Sequence, residues 1–156
     1  LEMGVTVGIG TDGVKENNNL DMLEELKFVP LLQKSRLLDA RVIRAEEAIR
    51  MATMGGAKAL GLDREIGSLE IGKKADLIVI DFRKPHLTPI MGGKYNNAAS
   101  NVVYAASGAD VKHVFVDGRH VVRDRRLVRA DVSEIVASGQ EAAERLFKLR
   151  EPFVPA

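Results

Sequence analysis

The 156-residue chain is 46 % hydrophobic with only five Phe and two Tyr, so one ordinary core built mainly from aliphatic side chains is expected. Twenty-three Lys and Arg stand against 22 Asp and Glu, and the net charge of +1 gives no general attraction for nucleic acid or an anionic membrane. The absence of cysteine excludes disulfides, thiolate nucleophiles and sulfur-ligated zinc, so any metal would need His, Asp or Glu. No apolar stretch approaches the ~20 residues of a membrane span, and no basic-then-apolar leader pattern opens the chain, so a cytoplasmic location is expected.

The chain opens on Leu1, with a strand-like segment close behind and nothing before it to pair with. It is read either as starting inside a larger domain or as carrying a two-residue scar before a start at Met3. Val5, Val7 and Ile9 alternate with Thr6, Gly8 and Gly10, which predicts a short strand ending at Thr11-Asp12-Gly13. A helix is expected over 20–38, with Asn19 as its cap, acids Asp21, Glu24 and Glu25 near its start and a kink at Pro30. A second should run from Ala45 to Leu60, with Gly61 in the terminating left-handed position. Gly55-Gly56 inside it is costly for a helix and implies close packing there.

The apolar run between Asp76 and Asp81 reads as a buried strand, and 85–101, rich in Pro, Gly and Asn, as a long loop. Val111–Val116 and His120–Val122 flank Asp117-Gly118, a dipeptide suited to a tight hairpin turn. A final helix is signalled by Asp131 and Glu134 as a capping box and by an apolar stripe of Ile135, Ala142, Leu146 and Leu149, with Pro152 as its stop. That helix is expected to pack across the preceding elements.

An aspartate at the C-terminal end of a strand, between small residues and ahead of a helix, is where a barrel enzyme places a metal ligand or general base. The same Thr-Asp-Gly turn also serves as an ordinary loop or cap, and spacing alone does not separate the two. Asn17 and Asn18 allow substrate contact or loop turning. His86, His113 and His120 form no His-x-His pair, and surface or packing roles are expected for them. The arginines at 123, 125, 126 and 129 have no interleaved aromatics, so nucleic-acid binding is not expected.

GIGTDG followed by NNNLDMLEELKF resembles the last barrel strand and following helix of the metal-dependent amidohydrolase superfamily. The likeness continues through MATMGGAKALGL, IGSLEIGKKADLIVID, PHLTP, NVVYAASGADVKHVFVDG and VVRD. It is closest to the methylthioadenosine and S-adenosylhomocysteine deaminases. The resemblance implies an α/β fragment: 1–62 as the last strand and helices of a (β/α)8 barrel, 63–130 as the C-terminal part of a small β-sandwich domain, and 131–156 as a terminal helix and tail. It implies hydrolytic deamination of an adenosine-like nucleoside, with a divalent metal, zinc or iron, in the complete enzyme. It gives Asp12 the roles of metal ligand and catalytic proton shuttle, and Asn17 and Asn18 match the family's asparagine pair.

Val14-Lys15-Glu16 departs from the small residues and serine usual there. The family's remaining ligands precede this aspartate, so the chain alone is expected to be inactive and to bind no metal. Unpaired strand edges lead to the expectation of self-association, as a homo-oligomer, or of disorder near the N-terminus. The alternatives are a non-catalytic structural or assembly fragment, or an amidohydrolase of the chlorohydrolase or guanine deaminase type.

Overall fold

The computed structural model describes residues 3–150. The alternating run Val5–Ile9, expected to be a strand, forms none: among the described residues no strand pairs with it. Alternation marks which side chains share a face, but a strand exists only through the ladder to a neighbour. The segment lies instead on the helical run that starts at Ala45, and Gly13 leads from it into α1 (Val14–Asn17).

Helix α2 (Met22–Leu37) is capped by Asp21, whose carboxylate accepts the Leu23 N–H at 2.9 Å. Asn19, the expected cap, sits one step further out and accepts the Asp21 N–H at 3.1 Å. Capping requires reach to the second or third helical N–H, and only Asp21 is placed for it. The helix continues through Pro30, whose ring is buried, and closes at Leu38 in a left-handed conformation with φ 51°.

The helix expected over 45–60 is present as three joined pieces: α3 (Ala45–Arg50), a π-helical turn (Met51–Gly55) and α4 (Gly56–Ala59). Gly61 follows with φ 72°, the left-handed residue expected there. Close packing at the glycine pair is also present. A Cβ built on Gly55 would lie 2.4 Å from the Val7 carbonyl oxygen, and one built on Gly8 would lie 3.0 Å from the Gly56 Cα.

Strands β1 (Leu77–Ile80), β2 (Val111–Val116), β3 (Arg119–Arg123) and β4 (Arg126–Leu127) form one antiparallel sheet in the order β1-β2-β3-β4. Asp117 and Gly118, at φ 50° and 72°, make the expected hairpin turn. The strand expected to be buried, β1, is instead an edge, with Ile78 and Val79 48 % and 40 % exposed. A four-residue apolar run does not say how many of its sides are covered. The β4 strand was not anticipated. It follows a turn of Asp124 and Arg125, both with positive φ, inside the arginine cluster.

The stretch expected to be a loop over 85–101 holds two 3-10 turns (Pro85–Leu87 and Gly93–Tyr95) and the start of α5 (Ala98–Tyr104). It is tied down by side-chain amides: Asn97 donates to the Pro89 carbonyl at 2.9 Å, and Asn101 to that of Leu87 at 3.0 Å. Leu87 and Val103 are fully buried, and with Leu23, Leu26, Ala45, Ala48 and Ala106 they form the core.

Helix α6 (Val132–Arg150) begins where expected, with the Asp131 carboxylate accepting the Ser133 N–H at 2.7 Å, but among the described residues the return bond from the Asp131 N–H to Glu134 that would complete a capping box does not form. It does not pack across the other elements. None of its residues is buried, and Ile135 and Leu146 of its stripe are 53 % and 57 % exposed. A stripe fixes which face of a helix is apolar but not what covers it. Pro152 lies outside the described residues.

Candidate functional site

Asp12 stands where the segment over 4–13 meets α1, with Thr11 and Gly13 on either side. Its φ of 56° is unusual for a residue with a Cβ, although Asp tolerates the left-handed region better than most. The side chain helps hold that shape: Oδ1 accepts the Gly13 N–H at 2.8 Å, while the Thr11 hydroxyl donates to the Asp12 carbonyl at 3.1 Å. Oδ2 has no hydrogen-bond partner among the described residues, and the residue is exposed. One carboxylate oxygen thus fixes the turn and the other is open to a ligand or a proton.

Asn17 closes the loop from behind. Its amide nitrogen donates to the Thr11 carbonyl at 2.8 Å and also to the carboxylate of Glu25, on the first turns of α2. Asn18 is the left-handed C-cap of α1, φ 58°, and is exposed. Lys15 and Glu16 pair with each other at 3.1 Å on the outer side of this loop. The part of Glu25 was not foreseen from the sequence. It stands eight residues beyond Asn17, a spacing that belongs to no regular element, and the only signal was an acid near a helix start.

Beside the loop an open groove of about 1050 Å3 runs between the segment over 4–13 and α2, lined by Val7, Ile9, Phe28, Val29, Leu32 and Met51 among others. Its lining is mostly apolar, with Glu25, Gln33, Arg41 and Glu47 as the charged and amide side chains in it.

The three histidines lie away from Asp12 in the fold's other elements. His86 Nε2–H donates to the Asp110 carboxylate, 3.0 Å away. Asp110 is only 2 % exposed and also accepts the Ser107 N–H at 3.0 Å and its hydroxyl at 3.2 Å. Burial alone would push the Asp110 carboxyl up, but these hydrogen bonds and the nearby His86 outweigh it and hold it below the usual carboxylate range.

His113 and His120 face each other across the β2–β3 hairpin, with His120 stacked on Phe115 at 4.2 Å between ring centres. The Asp124 N–H donates to His113 Nδ1 at 3.3 Å, and the Arg123 Nε–H donates to His120 Nδ1 at 3.0 Å. Both Nδ1 atoms are therefore acceptors, and His120 Nε2–H donates to His113 Nδ1 at 3.2 Å. Burial first, and then the charges of Arg123 and His113, lower the His120 pKa.

Among the described residues no three His, Cys, Asp or Glu side chains converge on a position that would hold a metal ion. Asp12 alone offers one open carboxylate oxygen, whereas a catalytic zinc takes about three protein ligands. The donor set of the described residues therefore does not fit a complete metal centre. Asp12 fits as one donor within a larger set. No helix among the described residues is long and apolar enough to cross a membrane.

A profile of the Amidohydrolase family matches residues 1–121. The chain is 48 % identical over 136 residues to a 5-methylthioadenosine/S-adenosylhomocysteine deaminase of Syntrophobacter fumaroxidans, covering 87 % of this chain and 30 % of that protein. It is 43 % identical to a 5'-deoxyadenosine deaminase of Methanosarcina mazei, covering 94 % and 32 % respectively. Among solved structures, an adenosine deaminase from Xanthomonas campestris with bound zinc superposes with a TM-score of 0.87 at 34 % identity, over 94 % of this chain and 32 % of that one. Atrazine chlorohydrolase from Arthrobacter aurescens, complexed with zinc, gives a TM-score of 0.76 at 29 % identity, over 90 % and 30 %. The chain spans 30 % to 32 % of the length of these relatives.

Proposed function

The chain belongs to the amidohydrolase family, and on that premise we propose that it is the Asp12-bearing part of a metal-dependent hydrolase that deaminates an adenosine-like nucleoside. The observation that carries this reading is the open oxygen of Asp12, presented on a loop that is held by its own hydrogen bonds and by the Asn17 tie to Glu25 of α2. The names of the relatives support the nucleoside, and the zinc in two of the solved neighbours supports a divalent metal. On this reading residues 1–62 are the end of a barrel, 63–130 a share of the small β domain, and 131–156 a terminal helix and tail.

A divalent metal in the complete enzyme would lower the pKa of its bound water. Asp12 would be one of its ligands and would take a proton from the attacking water. It would deliver that proton to the ring nitrogen or to the amine that leaves as ammonia. Gly13 N–H holds the carboxylate in orientation while its second oxygen moves the proton. Asn18, exposed beside this loop, is the nearer candidate for substrate contact, because the amide hydrogens of Asn17 are engaged by the Thr11 carbonyl and by Glu25 of α2.

The chlorohydrolase reading draws on the triazine-hydrolysing neighbour, and the lower identity of 29 % against 48 % for the deaminase makes it second. We infer that the isolated chain is inactive, since its described residues bring together no set of metal ligands. The test adds zinc and methylthioadenosine to the purified chain and follows ultraviolet absorbance, where appreciable turnover would overturn that inference. Supplied with a polypeptide spanning the other part of the Syntrophobacter relative, the chain should turn over. Asp12→Asn should then lower kcat by roughly 10²–10⁴, the usual worth of a proton shuttle. Full activity in that variant removes Asp12 from the mechanism.

A further inference from the structure

We propose that Asn17 and Glu25 are positioning residues that hold the Asp12 backbone in its left-handed conformation; the inference deepens the reading of Asp12 as the site carboxylate and rests on it. The geometry begins with one peptide plane. The Thr11 carbonyl and the Asp12 nitrogen belong to the same rigid unit, so fixing the direction of that carbonyl fixes the plane from which the Asp12 φ is measured. The Thr11 oxygen accepts from Asn17 Nδ2 at 2.8 Å. The same nitrogen gives its other hydrogen to the Glu25 carboxylate. The two acceptors thus match the two hydrogens an amide carries, and the bridge is saturated.

Glu25 makes the bridge rigid because it rides on a helix of sixteen residues, Met22–Leu37. That helix is itself anchored at its start. Asp21 caps it through Leu23 and accepts the Gly108 N–H at 2.8 Å, tying α2 to the turn before β2. A continuous path of hydrogen bonds therefore runs from the sheet side of the molecule, through the start of α2, to the peptide that sets Asp12. The Gly13 N–H bond to Asp12 Oδ1 lies beyond that peptide and depends on it.

Left-handed backbone at a non-glycine residue persists when its surroundings over-determine it. Here the Asn17 bridge supplies the constraint from the chain side and the Gly13 bond from the side chain. With the bridge cut, the Thr11–Asp12 peptide is free to rotate, and the carboxylate leaves the direction in which its open oxygen now points. Asn17 thereby acts through Asp12 and not by touching substrate. The chemistry needed at Glu25 is an acceptor, not a charge, because its partner is a neutral amide.

The test uses the full chain, isotope-labelled, with Asn17→Ala, Glu25→Ala and Glu25→Gln. Two local signals are read, the Asp12 carbon chemical shifts that report φ and the amide exchange rate of Gly13, together with the thermal midpoint. Both alanine variants should move the Asp12 shifts out of the left-handed range and speed Gly13 exchange at least tenfold, with amides of β2 unchanged. Glu25→Gln, which keeps an acceptor oxygen, should stay within twofold of the parent. Unchanged Asp12 shifts and Gly13 exchange in both alanine variants overturn the proposal. A loss in Glu25→Gln equal to that in Glu25→Ala overturns the acceptor role. A uniform fall in protection across β2 as well as the loop reduces the pair to a purely structural part and overturns it too. None of these signals depends on turnover, so a failure of the catalytic reading of Asp12 is seen separately, in the activity of Asp12→Asn.

Discussion

Two neighbouring glycines in the same helical run should respond to alanine in opposite directions. Gly55 and Gly56 both have helical backbone angles, φ −62° and −60°, so neither requires glycine for its conformation. In a helix interior alanine is favoured over glycine by about 1 kcal/mol, and that gain applies to both. The difference is what the new methyl meets. At Gly56 the nearest atom would be the Met51 carbonyl oxygen at 3.9 Å, an ordinary contact, and the gain survives.

At Gly55 the methyl would stand 2.4 Å from the Val7 carbonyl oxygen and 3.2 Å from that of Arg50. Both obstacles are backbone, so the segment carrying Val7 has to move away. Forcing a methyl into a filled position costs about 1–3 kcal/mol, which leaves Gly55→Ala destabilised by about 1 kcal/mol after the helix gain is subtracted. The two variants should then differ by about 2 kcal/mol, or about 4–8 °C in thermal midpoint for a chain of this size. Thermal unfolding followed by circular dichroism measures it. Equal midpoints, or a higher one for Gly55→Ala, would refute the steric argument and with it the docking of the 4–13 segment on the π-helical turn.

The hairpin histidines make stability depend on pH. The lowered His120 pKa means that the unfolded chain takes up a proton near the ordinary value of about 6.5 while the folded chain resists it, so stability falls as pH drops below about 7 and levels off beneath the folded pKa. The thermal midpoint should be lower at pH 5 than at pH 7.5, and His120→Phe, which keeps the stack on Phe115, should flatten that slope; a midpoint rising toward acid contradicts the assigned tautomers. Leu87 is fully buried between α5 and the helical core, and Leu87→Ala should cost about 2–5 kcal/mol in urea unfolding. A loss under 1 kcal/mol would show that this stretch is not part of the core.

The parts legible from the amino-acid sequence are those where local chemistry decides the outcome. Asp117-Gly118 demands a turn with two positive φ values, and Gly61 a left-handed stop, and both are present. The parts that escaped depend on partners distant in the chain. Val5–Ile9 has the alternation of a strand but no ladder among the described residues. Helix α5 was hidden because Asn96, Asn97 and Asn101 read as loop residues, whereas Asn97 and Asn101 turn their side chains back to fasten the preceding segment. At the candidate site, the Thr11-Asp12-Gly13 break was legible and the side chains that support it were not. The Asn17 to Glu25 bridge spans a loop, so no periodicity encodes it.

Exposure connects the fold to the proposed activity. The chain presents 11916 Å2 to solvent, where a folded monomer of 17.0 kDa presents roughly 7,700 Å2 by the usual scaling with mass. The excess includes the apolar groove beside Asp12, the two sides of β1 and the stripe of α6. Apolar surface of this kind is normally covered by other protein. A proton shuttle also needs a site from which bulk water is excluded, because electrostatic control weakens sharply in a high dielectric. Asp12 in this chain is open to water, and Phe28, Leu32 and Val7 line the groove between its segment and α2. On the proposed reading one requirement answers both observations: the same remaining structure that brings the other metal ligands also covers the groove and dries the carboxylate. Activity and burial of the groove should therefore appear together when that structure is supplied.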